Sequence, residues 1–320
     1  MDQRSPLVTL GMPTYNGARF LAKSIDALLN QDYANCELVI SDNCSTDDTE
    51  AIAGAYVQRF DRIRYVRQES NLGYSANFNR VLELARGSYF MWVADHDLWE
   101  PGLVSRCVAA LEADPAAVLA YPQSLLIDEN GNTIEEMDDQ IDLGQPSALD
   151  RYKRLIWQLN NCNMIYGVAR RKALAATGGF PDVFGADHVV LARLVLQGTV
   201  LTVGGHLFLR RQNRPPETAE EHRSRALADL NPSKADVRAS LPLNTVYRGF
   251  RDAHLRAVRE SSLSVAEKVD GTVTTLACFR ERFGVRSAAL KLLRGGARLT
   301  RQRARLDRHL SAGARPADPS

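Results

Sequence analysis

The sequence predicts an α/β protein built on a parallel sheet in its N-terminal half, followed by a helical C-terminal region. Three observations predict it. Between Val8 and Ala94, short apolar runs of strand length alternate with segments whose apolar residues recur at helical spacing. The connections between successive runs are long enough for a crossover helix, so consecutive strands are expected to lie parallel. Polar or conformationally special residues then follow each run: Pro13-Thr14-Tyr15-Asn16, Asp42-Asn43, Asn71-Leu72-Gly73 and Asp95-His96-Asp97. A parallel sheet binds ligands outside the carboxyl ends of its strands, so these four groups are expected to converge on one crevice.

The elements follow in order. Val8–Met12 reads as a buried strand, and Phe20, Leu21, Ile25, Leu28 and Leu29 mark a helix capped by Asn16 or Gly17. Glu37–Ser41 is a second strand. A second helix is expected from Ser45 or Thr46, with Asp47, Asp48 and Glu50 in its first turn, where carboxylates suit the helix dipole. Ile63–Val66 is a third strand and Ser75–Ala85 a third helix. The apolar run Ser88–Ala94 reads as a strand buried on both faces. Pro101 opens another helix, and Val118–Tyr121 is a strand. Asp128–Asn132 is a hairpin turn, and an acidic loop runs from Glu135 to Asp142. Helices are expected at Ala148–Leu159, Arg171–Ala176 and Asp187–Leu196, and strands at Thr199–Val203 and His206–Arg210. Asn213-Arg214-Pro215-Pro216 reads as a boundary. Beyond it the pattern is helical, at Ala219–Leu230, Leu243–Glu260 and Val265–Phe283. The expected division is therefore 1–215, 216–311 and a disordered tail, 312–320.

Composition narrows the class. A chain of 320 residues, 45% hydrophobic and 24% charged, has a globular profile, and a formal net charge of +2 argues neither for nor against nucleic acid. The N-terminus lacks a basic stretch followed by a long apolar one, and no segment reaches the roughly 20 apolar residues of a membrane span. The five cysteines, Cys36, Cys44, Cys107, Cys162 and Cys278, form no C-x-x-C pair and read as reduced thiols of a cytoplasmic protein. The basic segment Arg286–Arg308, with leucines interleaved, reads as a bundle helix or as an amphipathic surface drawn to the anionic inner face of a cell membrane. No motif for nucleic acid accompanies it.

Asp95-His96-Asp97 carries the sharpest chemistry. In extended backbone, residues i and i+2 point the same way, so two carboxylates at the mouth of a buried strand offer hard oxygen ligands to Mg²⁺ or Mn²⁺. A solvated acidic turn is the structural alternative. The ordered set Pro13-Thr14-Tyr15-Asn16, Ser41 to Thr49, Asn71-Leu72-Gly73 with Asn77, Gly87-Ser88-Tyr89 and Asp95-His96-Asp97 resembles the family 2 glycosyltransferases. The resemblance runs from about Leu7 to about Arg211. It implies a GT-A fold, a nucleotide-sugar donor, a divalent metal, and inverting transfer to a hydroxyl on a sugar, a lipid-linked or a small-molecule acceptor.

By this resemblance Pro13, Thr14, Tyr15 and Asn16 line the donor pocket, and Asp42 hydrogen-bonds a uracil or thymine base. Asn71 and Asn77 order the pocket, Asp95 sits near ribose and metal, and Asp97 is the main metal ligand. Phe184-Gly185-Ala186-Asp187-His188, followed by Arg193-Leu194, resembles the family's Glu-Asp segment. Asp187 then takes the place of the general base, and Ala186 replaces the usual Glu. The residue-level alternative is that Asp187 is a helix cap. Gln212 stands about where many relatives carry a metal-binding His, and Arg210 or Arg211 is a candidate for the diphosphate. Trp99 and His188 are expected at the acceptor, each with a packing role as alternative. A sugar-nucleotide pyrophosphorylase is disfavoured because the loop after the first strand, Pro13–Gly17, lacks its Gly-rich, basic character. A non-catalytic binding protein on the same fold draws support from Ala186 and Gln212 and is opposed by Asp95, Asp97 and Asp187.

Overall fold

The computed structural model describes residues 5–212, 221, 224, 227 and 241–284. One nine-stranded sheet organises it. The first strands are β1 (Val8–Thr14), β2 (Cys36–Asp42), β3 (Ile63–Arg67) and β4 (Tyr89–Trp92), connected by helices α1 (Ala18–Leu29), α2 (Thr49–Arg59) and α3 (Tyr74–Glu83). All three pairings among them are parallel, in the order β3-β2-β1-β4. The chain steps outward from β1 to β3 and then returns to β4 on the other side of β1. That reversal opens the crevice at the ends of β1 and β4.

The second half mixes directions. It comprises β5 (Leu98–Trp99), α4 (Leu103–Ala113), β6 (Ala117–Ile127), β7 (Thr133–Met137), α5 (Ala148–Gln158), β8 (Val168–Arg170), α6 (Arg171–Ala176), α7 (Ala186–Val195) and β9 (Thr199–Arg211). Strand β8 lies antiparallel between β4 and β6, β6 pairs parallel with β9, and β5 closes the edge against β9. Two of these strands, β5 and β8, are too short to leave a periodic signal. Thr199–Arg211 was expected as two strands and is one. Gly204 and Gly205 read as a break, but the ladder to β6 continues past them with shifted register.

Period-two alternation explains β4. Tyr89, Met91 and Val93 belong to one core cluster, with α1 and α4, while Phe90 and Trp92 belong to the other, with α3, α5 and α7. The run is therefore apolar throughout because both its faces are covered. Gly11 in β1 makes room for this packing, since a Cβ there would lie 2.5 Å from the Phe90 ring.

Helix α2 begins at Thr49, later than expected. Ser45 is not its cap, because its hydroxyl and N–H both donate to Asp42 Oδ1. Asp47 instead accepts from the Thr49 amide and hydroxyl. Short polar side chains that satisfy loop backbone compete with helix initiation in this way.

Two C-terminal helices, α8 (Leu243–Glu260) and α9 (Val265–Phe283), pack on α7 and α5 respectively. Ala257, Val258, Leu263 and Cys278 sit in the same apolar cluster as α5 and α7. Helix α9 starts with a reciprocal capping box between Ser264 and Glu267. The expected helix at Ala219–Leu230 and the basic segment Arg286–Arg308 lie, for the most part and entirely, outside the described residues. Among the described residues no helix is long and apolar enough to cross a membrane.

Gly167 lies flat against β6, where a Cβ would meet the Ala120 carbonyl oxygen at 2.4 Å and Tyr121 Cβ at 2.7 Å. Gly167→Ala is expected to destabilise the fold by about 1–3 kcal/mol through this overlap. A urea midpoint equal to wild type would show that β8 tolerates the displacement.

Candidate active site

The loops after β1 and β2 are stitched together before either meets a ligand. Asn16 N–H donates to Ser45 Oγ (2.8 Å), Thr46 N–H to Asn16 Oδ1 (2.8 Å), and Gly17 N–H to Thr49 Oγ1 (2.9 Å). Asn16 and Cys44 hold positive φ, 52° and 66°. Non-glycine residues rarely adopt this geometry, and it concentrates at functional loops. Pro13 and Thr14 are buried in β1, so the surface of this loop belongs to Tyr15, 48% exposed, and to Asn16.

Asp42 is fully buried, and its carboxylate is occupied by protein donors. Oδ1 accepts from Ser45, Oδ2 accepts from the Tyr65 hydroxyl at 2.6 Å, and Arg67 lies 3.8 Å away. In this conformation its acceptors hold the loop rather than point to an open pocket. Burial, then the hydrogen bond to Asp42, raises the Tyr65 phenol well above its ordinary range. Asn71 and Asn77 staple neighbouring loops. Asn71 Oδ1 accepts from Asn43 and from Gly73 N–H. Asn77 donates to the carbonyls of Thr14 and Ser41 and accepts from the Ser41 hydroxyl. These two residues tie together the segments that follow β1, β2 and β3.

At the switch point, Thr14 Oγ1 donates to Asp95 Oδ2 at 2.5 Å. A Cβ on Gly17 would lie 2.3 Å from that same oxygen, so only glycine lets Asp95 stand there. Asp95 Oδ1 faces His96 Nδ1 at 2.8 Å, and His96 Nε2 lies 3.9 Å from Asp97 Oδ1. Asp95 keeps 15% of its side chain exposed. Asp97 is 2% exposed, and its Oδ1 accepts from the Arg211 backbone N–H at 2.7 Å. Burial raises the Asp97 carboxyl pKa, offset in part by His96. Asp95, and not Asp97, is thus the more open of the two carboxylates.

The two arginines separate cleanly. Arg211 is 3% exposed and spends its guanidinium on the carbonyls of His96, Asp128 and Glu129. It is a clamp. Arg210 is only half-buried, donates to Asn163 Oδ1 at 3.0 Å, and interacts electrostatically with Asp97. Gln212 is exposed at the end of β9.

Asp187 occupies the second position of α7, behind Gly185, whose φ of 69° turns the chain into the helix. It is not the cap. Its carboxylate is half-buried, accepts from the His188 N–H at 2.8 Å, and faces the Cys162 thiol. Burial, then Asp187, drives the Cys162 thiol well above its ordinary range. Tyr166 is shifted upward by burial and senses Asp97, Arg210 and Asp187 together. One neighbourhood therefore holds Asp97, Arg210, Tyr166, Cys162 and Asp187.

Two expectations are corrected. Trp99 is 2% exposed and stacks on Phe208 in the core, because β5 pins it against β9. His188 is 8% exposed and turns toward α8, with Nδ1 3.1 Å from His254 Nε2. Neither ring is presented to an acceptor. Tyr166, Asn163 and Cys162 were missed. They lie on a 3-10 turn and the residue before it, where no motif or period marks them.

The carboxylate pair suits a hard cation. Among the described residues no group of three or more His, Cys, Asp or Glu side chains is arranged to hold an ion. Mg²⁺ commonly takes one or two carboxylates and completes its shell with substrate phosphates and water, so Asp95 and Asp97 fit such an ion held together with a diphosphate.

The fold defines a GT-A-type scaffold. The chain belongs to the glycosyl transferase family 2, whose model matches residues 9–175, just over half of its length. Over 132 residues it is 31% identical to chondroitin synthase of Escherichia coli, covering 41% of this chain and 19% of that one. It is 33% identical over 131 residues to the uncharacterized glycosyltransferase RP339 of Rickettsia prowazekii, covering 41% and 40%. These matches thus span less than half of each relative. Among solved structures, S. aureus TarS 1-349 in complex with UDP-GlcNAc superposes with a TM-score of 0.65 at 17% identity, over 92% of this chain and 77% of that one. The mannosyltransferase PcManGT from Pyrobaculum calidifontis, in complex with GDP-Man and Mn²⁺, gives a TM-score of 0.50 at 20% identity, over 93% and 81%. Both likenesses are of fold.

Two substitutions test whether Asp95 and Asp97 bind a metal ion. Gly17→Ala displaces the Asp95 carboxylate, so Mn²⁺-dependent UDP affinity is expected to fall about tenfold, ~1.4 kcal/mol. Calorimetry returning wild-type affinity would remove Asp95 from the site. Asp97→Asn keeps an acceptor for the Arg211 N–H while deleting a buried charge. It is expected to lower Tm by about 2–4 °C, because the buried Arg211 guanidinium loses an opposite charge, and to abolish Mn²⁺-dependent UDP binding. Lower Tm with intact binding would make Asp97 purely structural.

Proposed function

We propose that this chain transfers a sugar from a UDP- or dTDP-linked donor to a hydroxyl acceptor, with inversion at the anomeric carbon. The observation that carries the reading is one neighbourhood, at the carboxyl ends of β1 and β4, that joins the Asp95–Asp97 pair to Asp187 through Arg210 and Tyr166. Chondroitin synthase among the relatives supports a setting in bacterial polysaccharide assembly. UDP-GlcNAc in TarS, and GDP-Man with Mn²⁺ in PcManGT, support a nucleotide-sugar donor and a divalent ion.

In this reading Tyr15 and Asn16 face the nucleoside, and the stapled Asn71 and Asn77 keep its pocket open. Asp42 contributes to base recognition by fixing the loop around Ser45. Asp95 and Asp97 hold Mg²⁺ or Mn²⁺, which when bound neutralises charge on the departing diphosphate. Arg210 adds a second positive charge at the same place. Asp187 accepts the proton of the attacking hydroxyl, a transfer that typically contributes about 10²–10⁴-fold. It stands in the first turn of α7, directly after Gly185 and Ala186. The basic segment Arg286–Arg308 would hold the enzyme at an anionic membrane surface where lipid-linked acceptors lie.

The donor is identified by a thermal-shift screen of nucleotide sugars with and without Mn²⁺, since a ligand that binds only the folded state raises its melting point. Once a donor is in hand, Asp187→Asn is expected to lower turnover about 10²-fold or more with donor affinity nearly unchanged. Asn keeps the size of Asp and an oxygen that accepts from the His188 N–H, so a merely structural Asp187 would leave turnover close to wild type.

A further inference from the structure

The helix carrying Asp187 is anchored from outside the region that the family model matches. His188, the next residue, is 8% exposed, and its Nδ1 lies 3.1 Å from Nε2 of His254 on α8, which is fully buried. His254 Nδ1 lies 3.5 Å from the Tyr152 hydroxyl, that hydroxyl 2.7 Å from Thr275 Oγ1, and Thr275 donates to the Gly271 carbonyl at 2.7 Å.

These contacts fix the direction of every proton. Thr275 uses its only hydrogen on Gly271, so it accepts from Tyr152. Tyr152 then accepts from His254 Nδ1–H, which leaves His254 Nε2 a bare acceptor for His188 Nδ1–H. The polarity requires the His254 imidazole to be neutral. Burial agrees, pushing His188 down to about 3 and His254 well below its ordinary range. A chain with one allowed direction specifies one arrangement of its members, because any break strands a buried donor or acceptor.

Packing reinforces the same turn. Phe250 of α8 lies directly under Gly185, where a Cβ would approach its ring to 2.8 Å, and its ring meets His188 edge-on. On the opposite wall Arg282 of α9 donates to the carbonyls of Ile156 and Leu159, and Cys278 Sγ to that of Ile156. These contacts hold the segment that leads to Cys162, the residue facing Asp187.

We infer that His254 is a positioning residue for Asp187: from α8 it locks His188, and with it the first turn of α7, so that the C-terminal helix pair forms the supporting half of the site. The inference rests on the reading of Asp187 as the base, but the geometric link can be tested without turnover. Cys162 is the reporter, because its thiolate fraction is suppressed by burial and by the facing carboxylate, and alkylation follows that fraction.

The experiment measures iodoacetamide alkylation of the full chain, resolved by peptide mass spectrometry, with half-exposed Cys44 and buried Cys107 as internal controls. Asp187→Asn calibrates the reporter and is expected to speed Cys162 alone. His254→Leu removes the acceptor for His188 and is expected to speed Cys162 about threefold or more, leaving Cys44 and Cys107 unchanged. His254→Gln restores an acceptor and a donor and is expected to return Cys162 to the wild-type rate. Tyr152→Phe, which deletes only the anchoring hydroxyl, shifts Cys162 in the same direction as His254→Leu and decides the matter if that variant fails to fold. A wild-type Cys162 rate in both broken variants overturns the inference. So does equal acceleration of Cys107, which marks general loosening, or a glutamine variant as fast as leucine. No response to Asp187→Asn breaks the geometric link itself. Turnover retained by Asp187→Asn, with the alkylation ranking intact, instead removes the base reading and leaves His254 as an anchor of α7.

Discussion

A buried arginine holds the two halves of this molecule in register. Arg211 ends β9, and from there its guanidinium reaches the backbone of His96 and the hairpin at Asp128 and Glu129, while its own N–H fastens Asp97. A guanidinium out of water is costly unless its donors are used and opposite charge lies within reach; here Nε and Nη1 donate to three carbonyls, and Asp97 and Asp128 lie within electrostatic reach. Burial lowers its pKa, and Asp97 and Asp128 offset that effect. The cation and carboxylate therefore stabilise each other where neither could be buried alone. Through them the acidic turn after β4 is tied to a strand more than a hundred residues later in the chain.

On the proposed function, that tie divides the site into a donor side and an acceptor side. The donor side is made of loops that close on one another through short polar residues: Asn16 with Thr46, Asn43 with Asn71, Ser45 with Asp42. It lies wholly within the segment matched by the family model. The acceptor side is assembled from Cys162, Tyr166, Asp187 and Arg210, and three of these four stand on α7, β9 or the short turn before β8. Asp187 and Arg210 fall beyond residue 175, where the family match ends.

The same division shows in what each part costs. The donor loops hydrogen-bond to one another, which reduces the ordering that binding would require. The acceptor wall and its support leave polar atoms without protein partners, among them Asp139 Oδ1 and His188 Nε2. It also places thiol, phenol, carboxylate and guanidinium groups within electrostatic reach of one another. Groups arranged in that way are poised by the protein and not by solvent, which is how a site stores the work of charge stabilisation.

The sequence by itself determined the strand–helix alternation, the identity of the loops at the strand ends and the extent of α8 and α9. Each rests on local causes, such as a side-chain period, a cap or a turn, that are complete within a few neighbouring residues. Asp95 and Asp97 were legible as carboxylates at i and i+2 after an apolar run, and Asp187 only through the family resemblance of its segment. Tertiary structure alone decided what those residues face. Trp99 became core because a two-residue strand pairs with Phe208 and Leu209. Asp42 became a loop anchor because Tyr65 reaches it from the neighbouring strand. His188 left the crevice because its partner arrives 66 residues later. Strands β5 and β8 exist only as additions to ladders formed by distant segments. Exposure, pairing and proton direction are properties of what covers a residue, and the covering chain lies far away in sequence.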